Sequence, residues 1–229
     1  MDADQIIVKR DPNGIVNVRC PTPFVHLQPT RQTSLRLNDP HYVFPETPDL
    51  RAMTSADIQL DFLRNHLTGY CDIWRKPQKL FLDQYFKFIA ARVSAAETVL
   101  SKSLEKFVGL YNYRDWTLSA PRPLPRALMH TPTSDTAYTP VDFGFWFTGK
   151  RIAILLAGTG TPTRADKARR DSLKSANIYI VDISVQILQH NGAAYLDDAL
   201  SANFSQFWDG EVMPSSPFKG ATLGEIVRL

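Results

Sequence analysis

Between residues 54 and 113 the apolar positions recur every three or four residues, the spacing of a helix with one buried face. Thr54 or Ser55 can cap a first helix that carries Ile58, Leu60, Phe62, Leu63 and Leu67 and ends at Gly69. Pro77 opens a second, whose stripe is Leu82, Phe86, Ile89 and Val93, widened by Phe81, Tyr85 and Phe88. Ser94-Ala-Ala-Glu97 has the form of a capping box, so the helix restarts or bends there. A third run follows with Val99, Leu100, Leu104, Phe107, Val108 and Tyr111. Aromatic stripes at this spacing are core packing, and His66, alone on its helix, reads as structural.

The period changes at residue 140. Val141–Phe147 alternates in part and is rich in aromatics, Thr148-Gly149-Lys150 is a hairpin turn, and Arg151–Ala157 is almost wholly apolar. A continuous apolar run suits a central strand covered on both faces. Gly158-Thr-Gly-Thr-Pro breaks it, Thr163 can cap a helix over 164–175, and Asn177 stops that helix. Ile178–Ile183 is the next buried strand, and strand–helix–strand implies parallel pairing through a right-handed crossover. Leu196, Leu200, Phe204, Phe207 and Trp208 give a last amphipathic helix, ended by Asp209-Gly210, before a tail over 211–229.

The flanking segments are dominated by proline. Ile6–Val8 and Ile15–Val18 bracket Asp11-Pro-Asn-Gly and read as a hairpin. Prolines 21, 23, 29, 40, 45 and 48 then block helices, and residues 1–53 read as an extended arm. Its apolar residues need burial, either on its own domain or on a partner protein. Residues 114–139, with Pro121, Pro123, Pro125 and Pro132, read as a solvated linker carrying Arg114, Arg122 and Arg126.

Composition narrows the class. The 229 residues are 44% hydrophobic with net charge +3, enough for one mid-sized core and a mild attraction to anions. Cys20 and Cys71 form no CxxC, so reduced thiols are expected rather than a disulfide framework or zinc knuckle. No run approaches the length of a membrane span, and Met-Asp-Ala-Asp-Gln lacks a signal-peptide pattern, so the expectation is a cytoplasmic protein without a membrane partner. The five histidines are scattered without HExxH, and there is no GxSxG elbow.

Five segments then line up with a known pattern: Ser101-Lys-Ser-Leu-Glu105 on a helix, Pro140-Val-Asp142-Phe, Thr148-Gly-Lys through Gly158, the Arg169-Arg-Asp-Ser-Leu helix, and Tyr179-Ile-Val-Asp-Ile. Over residues 101–185 this order resembles the core of the PD-(D/E)XK nucleases, in the branch of very-short-patch-repair-like endonucleases and RAP domains. The resemblance implies an α/β fold with a restriction-endonuclease-like core, a mixed sheet flanked by helices, spanning 140–210 with the helix 95–111. The region 54–113 would be its helical N-terminal support and 1–53 its extended arm. It also implies Mg²⁺ held by carboxylates, a lysine beside the attacking water, and work on nucleic acid in defence or mobile-DNA processing.

Residue by residue, Glu105 and Asp142 fall where the helix and first-strand acids belong. On the second strand, however, the acidic position is Leu155 and the position two further on is Ala157. Neither binds a metal. Glu105, Asp142 and Lys150 are then vestigial, with no metal or cofactor expected, and the chain reads as a catalytically inactive nuclease-fold subunit that binds nucleic acid, DNA or RNA, or scaffolds a larger complex. One alternative is a Mg²⁺-dependent nuclease with a rebuilt site of Asp142, Glu105, Asp135 or Glu97, and Lys150. Another is a small nucleotide-binding protein using the Gly158–Gly160 turn, although the Gly-Lys-Ser/Thr signature does not follow it. The candidate nucleic-acid contacts are Arg164, Lys167, Arg169, Arg170 and Lys174, with Lys167, Arg170 and Lys174 forming one basic stripe and Asp166 and Asp171 expected elsewhere on the helix.

Overall fold

The structure is a computed structural model that describes residues 7–10, 16–19, 25–27, 55–72, 74, 76–103, 112–131, 138–147, 150–158 and 160–203. Two short strands, β1 (Ile7–Arg10) and β2 (Val16–Arg19), pair antiparallel where the sequence predicts a hairpin. Strand β3 (Val25–Leu27) pairs in parallel with β5 (Ala127–Met129 of Ala127–His130), so this part of the arm docks in cis.

Helix α1 (Ala56–Gly69) begins where Ser55 accepts a hydrogen bond from the Ile58 N–H at 3.3 Å. Helix α2 (Lys76–Ala95) follows with Pro77 in its first turn, and a turn at Ala96 separates it from α3 (Glu97–Ser103), the break that the capping-box residues predict. The remainder of the third apolar run, including Glu105, lies outside the described residues.

Residues 114–131 depart from the sequence reading. In place of a solvated linker they form a 3-10 segment (Tyr113–Ser119), β4 (Leu124–Pro125) and β5, with Trp116, Leu118, Pro121, Arg122, Leu124, Leu128 and Met129 buried. Two local features achieve this. Asn112 and Asp115 form a reciprocal capping box that winds the 3-10 segment and turns Trp116 inward. The Tyr85 hydroxyl, fully buried, then donates to the Pro121 carbonyl at 2.7 Å, tying the chain to α2 where proline supplies an acceptor and no donor.

Strands β6 (Tyr138–Pro140), β7 (Phe143–Phe147), β8 (Lys150–Ala157) and β9 (Tyr179–Ser184) complete two sheets, ordered β3-β5-β6 and β4-β7-β8-β9. In the larger sheet β4/β7 and β7/β8 are antiparallel and β8/β9 parallel, the last joined through α4 (Arg164–Ser175) as the sequence predicts. Helix α4 ends in a Schellman geometry: Asn177 is left-handed at φ 56°, its N–H donates to Lys174 O at 2.9 Å, and the Ile178 N–H donates to Leu173 O at 3.0 Å. The chain finishes in α5 (Val185–Asn203), which starts well before the helix read from Leu196 onward. Residues 204–210, which carry the rest of that predicted helix, are outside the described set.

The fold is therefore mixed α/β, with a mixed sheet flanked by helices. On one face Phe143 and Phe145 of β7 meet Phe81 and Tyr85 of α2, at 4.6 and 5.4 Å between ring centroids. Such pairs add about 0.5–1.5 kcal/mol each beyond area burial. Helix α5 joins α2 on this side through the Arg92–Asp197 ion pair. Helix α4 covers the other face, where Arg170 meets Asp182 of β9. Among the described residues, no helix is long and apolar enough to cross a membrane.

Helix α5 is kinked at Gly192, whose φ of 49° and ψ of −125° lie outside helical space. A Cβ there would stand 2.6 Å from Gln84 Oε1 on α2. Gly192→Ala is expected to lower stability by about 1–3 kcal/mol from backbone strain. The check is a lower urea midpoint at unchanged m-value.

Candidate functional site

The two sheets share one bent ribbon. Pairing of β4 with β7 (Leu124 with Gly144, Pro125 with Phe143) and of β5 with β6 (Leu128 with Pro140, Met129 with Thr139) keeps a single register across both sheets. At the corner Arg126 N donates to Asp142 O at 2.8 Å, and Val141 N to Ala127 O at 2.9 Å. Arg126 makes the bend possible by adopting φ 52°, a left-handed conformation that costs a non-glycine residue roughly 1 kcal/mol or more.

The corner leaves β8 without a neighbour on one side. Pairing between β7 and β8 ends at Phe143 with Ile154. Beyond it, the Leu156 N–H donates to the Asp142 side chain, Oδ2, at 3.0 Å. The other carboxylate oxygen accepts from Gln78 Nε2 at 3.2 Å, and Gln78 Oε1 in turn accepts from Asp72 N at 2.9 Å. Asp142 and Gln78 are both buried. The aspartate is thus a side-chain replacement for a missing ladder bond, braced by the first turn of α2.

A cavity of about 200 Å³ opens at this corner, lined by Asp72, Gln78, Arg126, Pro140, Val141, Asp142 and Arg169. Of the residues singled out from sequence, it brings together Arg126, Asp142 and Arg169. Lys150 lies at the far end of the β7–β8 hairpin, paired with Phe147, roughly 20 Å along β8 from Leu156. Its Nζ sits 5.2 Å from the Tyr179 ring centroid. Lys150 and Asp142 therefore lie toward opposite ends of the β7–β8 pair. Glu97 is exposed at the start of α3, and Glu105 and Asp135 fall outside the described residues. Leu155 is buried in β8 opposite Asp182, so the position of a second acid is core. Among the described residues, no group of three or more His, Cys, Asp and Glu side chains is placed to hold a metal ion.

The basic residues of α4 have separate duties. Arg170 donates from both terminal nitrogens to Asp182, each at 2.6 Å, and this pairing raises its pKa above the ordinary value. Arg169 contacts Asp166 at 3.3 Å and faces the cavity. Arg164, Lys167 and Lys174 are exposed. The stripe of Lys167, Arg170 and Lys174 therefore loses its middle member to an ion pair. At 3.6 residues per turn Asp171 falls about 40° from Lys167, so that acid flanks the stripe instead of lying away from it.

The Gly158–Gly160 turn leads to an occupied helix terminus. Thr163 and Asp166 form a reciprocal capping box, with Asp166 Oδ2 accepting from Thr163 N at 3.0 Å. Those bonds from Thr163 hold the Asp166 carboxyl below its ordinary pKa. A carboxylate thus sits at the N-terminus where a nucleotide phosphate would need to be. Burial pushes the Cys71 thiol up to about 12, away from the thiolate form.

Gln78 and Asp72 are site residues that sequence reading missed. A glutamine near a helix start carries no motif; only its spacing after Pro77 marks the first turn of α2. Comparison with protein-family models, with curated proteins and with solved structures yields no match to this chain.

Removing the Asp142 carboxylate leaves the Leu156 N–H and the Gln78 amide without their acceptor, at about 1–3 kcal/mol for each buried group. Asp142→Ala is expected to lose roughly 2–5 kcal/mol in urea unfolding. Asp142→Asn, which keeps one acceptor for Leu156, should lose less.

Proposed function

We propose that the chain is a non-catalytic subunit of nuclease-like fold that binds nucleic acid along the exposed cations of α4. The order strand–turn–strand, helix, strand in β7, β8, α4 and β9 supports the nuclease-like reading, with α3 as the described part of the helix that precedes them in it. The observation that carries the loss of catalysis is the bonding of Asp142. Its two oxygens accept from Gln78 and Leu156, while Leu155 and Ala157 occupy the strand positions that would complete a metal site. A carboxylate committed to holding β8 is a poor ligand for Mg²⁺, which needs several oxygens at near-octahedral geometry.

Binding rests on Arg164, Lys167 and Lys174, which are exposed on one helix next to the half-exposed Arg170–Asp182 pair. Lysine and arginine contacts of this type neutralise phosphates without reading sequence, so neither DNA nor RNA is selected by them alone.

Two outcomes test this reading. Purified protein with Mg²⁺ or Mn²⁺ is expected to leave single- and double-stranded DNA and RNA intact; cleavage that disappears in a folded Asp142→Asn variant overturns the non-catalytic assignment. In fluorescence anisotropy, changing Arg164, Lys167 and Lys174 together to Gln is expected to weaken nucleic-acid binding and to reduce the slope of log K against log salt by about 2–3. An unchanged slope moves the role to protein scaffolding.

A further inference from the structure

We infer that the turn between α1 and α2 binds an unpaired base of a single-stranded nucleic acid, with Trp74 as the stacking platform and Lys76 and Lys79 on the flanking phosphates. This contact rests on the phosphate binding proposed for α4, and it narrows that ligand from any nucleic acid to an unpaired strand. Trp74 is 85% exposed, the most exposed of the large apolar side chains described. A tryptophan carries a large apolar area and is highly buried on average, so one that its own fold leaves bare marks a contact surface. The turn that carries it is fixed by side chains on both sides. The Trp74 backbone N–H donates to Asp72 Oδ1 at 3.0 Å, and the Asp72 N–H donates to Gln78 Oε1 at 2.9 Å. Asp72 and Gln78 are therefore the frame of the turn, and the indole is what the frame presents.

The surroundings of the indole set the chemistry of its partner. Lys76 and Lys79 are exposed, and neither enters an ion pair among the described residues. The core of a protein–protein interface is depleted in lysine, and a turn seated in a membrane surface needs several apolar side chains together. The other exposed large apolar residues stand on other elements: Ile58 in the first turn of α1, Val99 on α3, Tyr179 on β9 and Ile187 on α5. A single bare indole among lysines matches base stacking, in which an aromatic face takes one base and cations follow the backbone. A duplex keeps its base faces stacked on one another, so an unpaired strand is the ligand that such a platform selects. The turn also adjoins α4. Asp72 and Gln78 line the corner cavity together with Arg169. Arg164 and Lys167 lie within about 8 Å of Arg169 along the axis of α4. Both are exposed and enter no ion pair among the described residues. A strand that follows α4 over the corner meets Trp74, which adds stacking where α4 supplies charge.

The test uses the full chain in fluorescence anisotropy, with labelled oligothymidylate and oligouridylate of about 20 nucleotides and a duplex of the same length. Both single strands are expected to bind more tightly than the duplex at equal salt. Trp74→Ala should weaken the single strands by about tenfold and the duplex by less than about twofold. Trp74→Phe, which keeps an aromatic face, should retain most of the binding. Changing Lys76 and Lys79 together to Gln should lower the single-strand slope of log K against log salt by about 1–1.5. Because the indole is bare, both Trp74 variants are expected to keep the wild-type thermal midpoint. Full single-strand binding by Trp74→Ala, or an equal loss on the duplex, overturns the site. If Trp74→Ala binds like wild type while the Arg164, Lys167 and Lys174 triple variant does not, the turn is excluded and binding along α4 stands. The reverse pattern supports the turn and overturns α4. Binding of no oligonucleotide overturns both, and Trp74-dependent binding to phosphatidylserine vesicles in that case makes the turn a membrane contact.

Discussion

The Asp142 carboxylate holds together the place where every layer of this protein meets. One antiparallel ribbon, β4–β5 against β6–β7, serves two sheets only because it bends between Pro125 and Ala127 on one strand and between Pro140 and Phe143 on the other. Bending removes β7 from beside the end of β8, and a strand end with an unpaired N–H is costly inside a protein. Asp142 answers that cost from the corner itself. Its backbone carbonyl fixes Arg126, one side-chain oxygen caps Leu156, and the other anchors the first turn of α2 through Gln78. Sheet, ribbon and helix are registered by one residue.

The core from residue 140 onward was legible because each of its signals is local. Phe147 pairs with Lys150 where the sequence marks a hairpin, Thr163 with Asp166 starts α4, and Asn177 ends it in the left-handed conformation that asparagine tolerates. Residues 114–131 were misread for a specific reason. Proline signals the loss of a backbone donor, which suits a solvated loop, but it suits equally a buried segment whose carbonyls are used and whose donors are not needed. Pro121 is of the second kind, with its carbonyl bound by Tyr85. Telling the two apart requires knowing that Tyr85 points there, and that is a long-range fact.

The site shows the same division. Asp142 stands out in sequence because an acid beside an apolar strand invites a chemical explanation. Its partners do not stand out: Gln78 lies on a distant helix, and the other is the backbone N–H of Leu156, which no residue type reveals. The basic helix is similar. Arg164, Lys167, Arg169, Arg170 and Lys174 look like one patch on a helical wheel, yet Asp182 claims Arg170 and the cavity claims Arg169. A wheel records spacing along one element and cannot show which charges the neighbouring strand has neutralised.

These separations bear on what distinguishes a structural acid from a metal-binding one. A metal-binding aspartate must keep its oxygens facing a space that an ion and water can enter. A structural aspartate must turn them toward protein donors. Asp142 lines a cavity, yet both of its oxygens accept from the protein, so its position is that of a site and its bonding is that of a brace. Leu155 stands in the core where a second strand acid would be needed, and the other acid of the cavity wall, Asp72, comes from the chain just before α2.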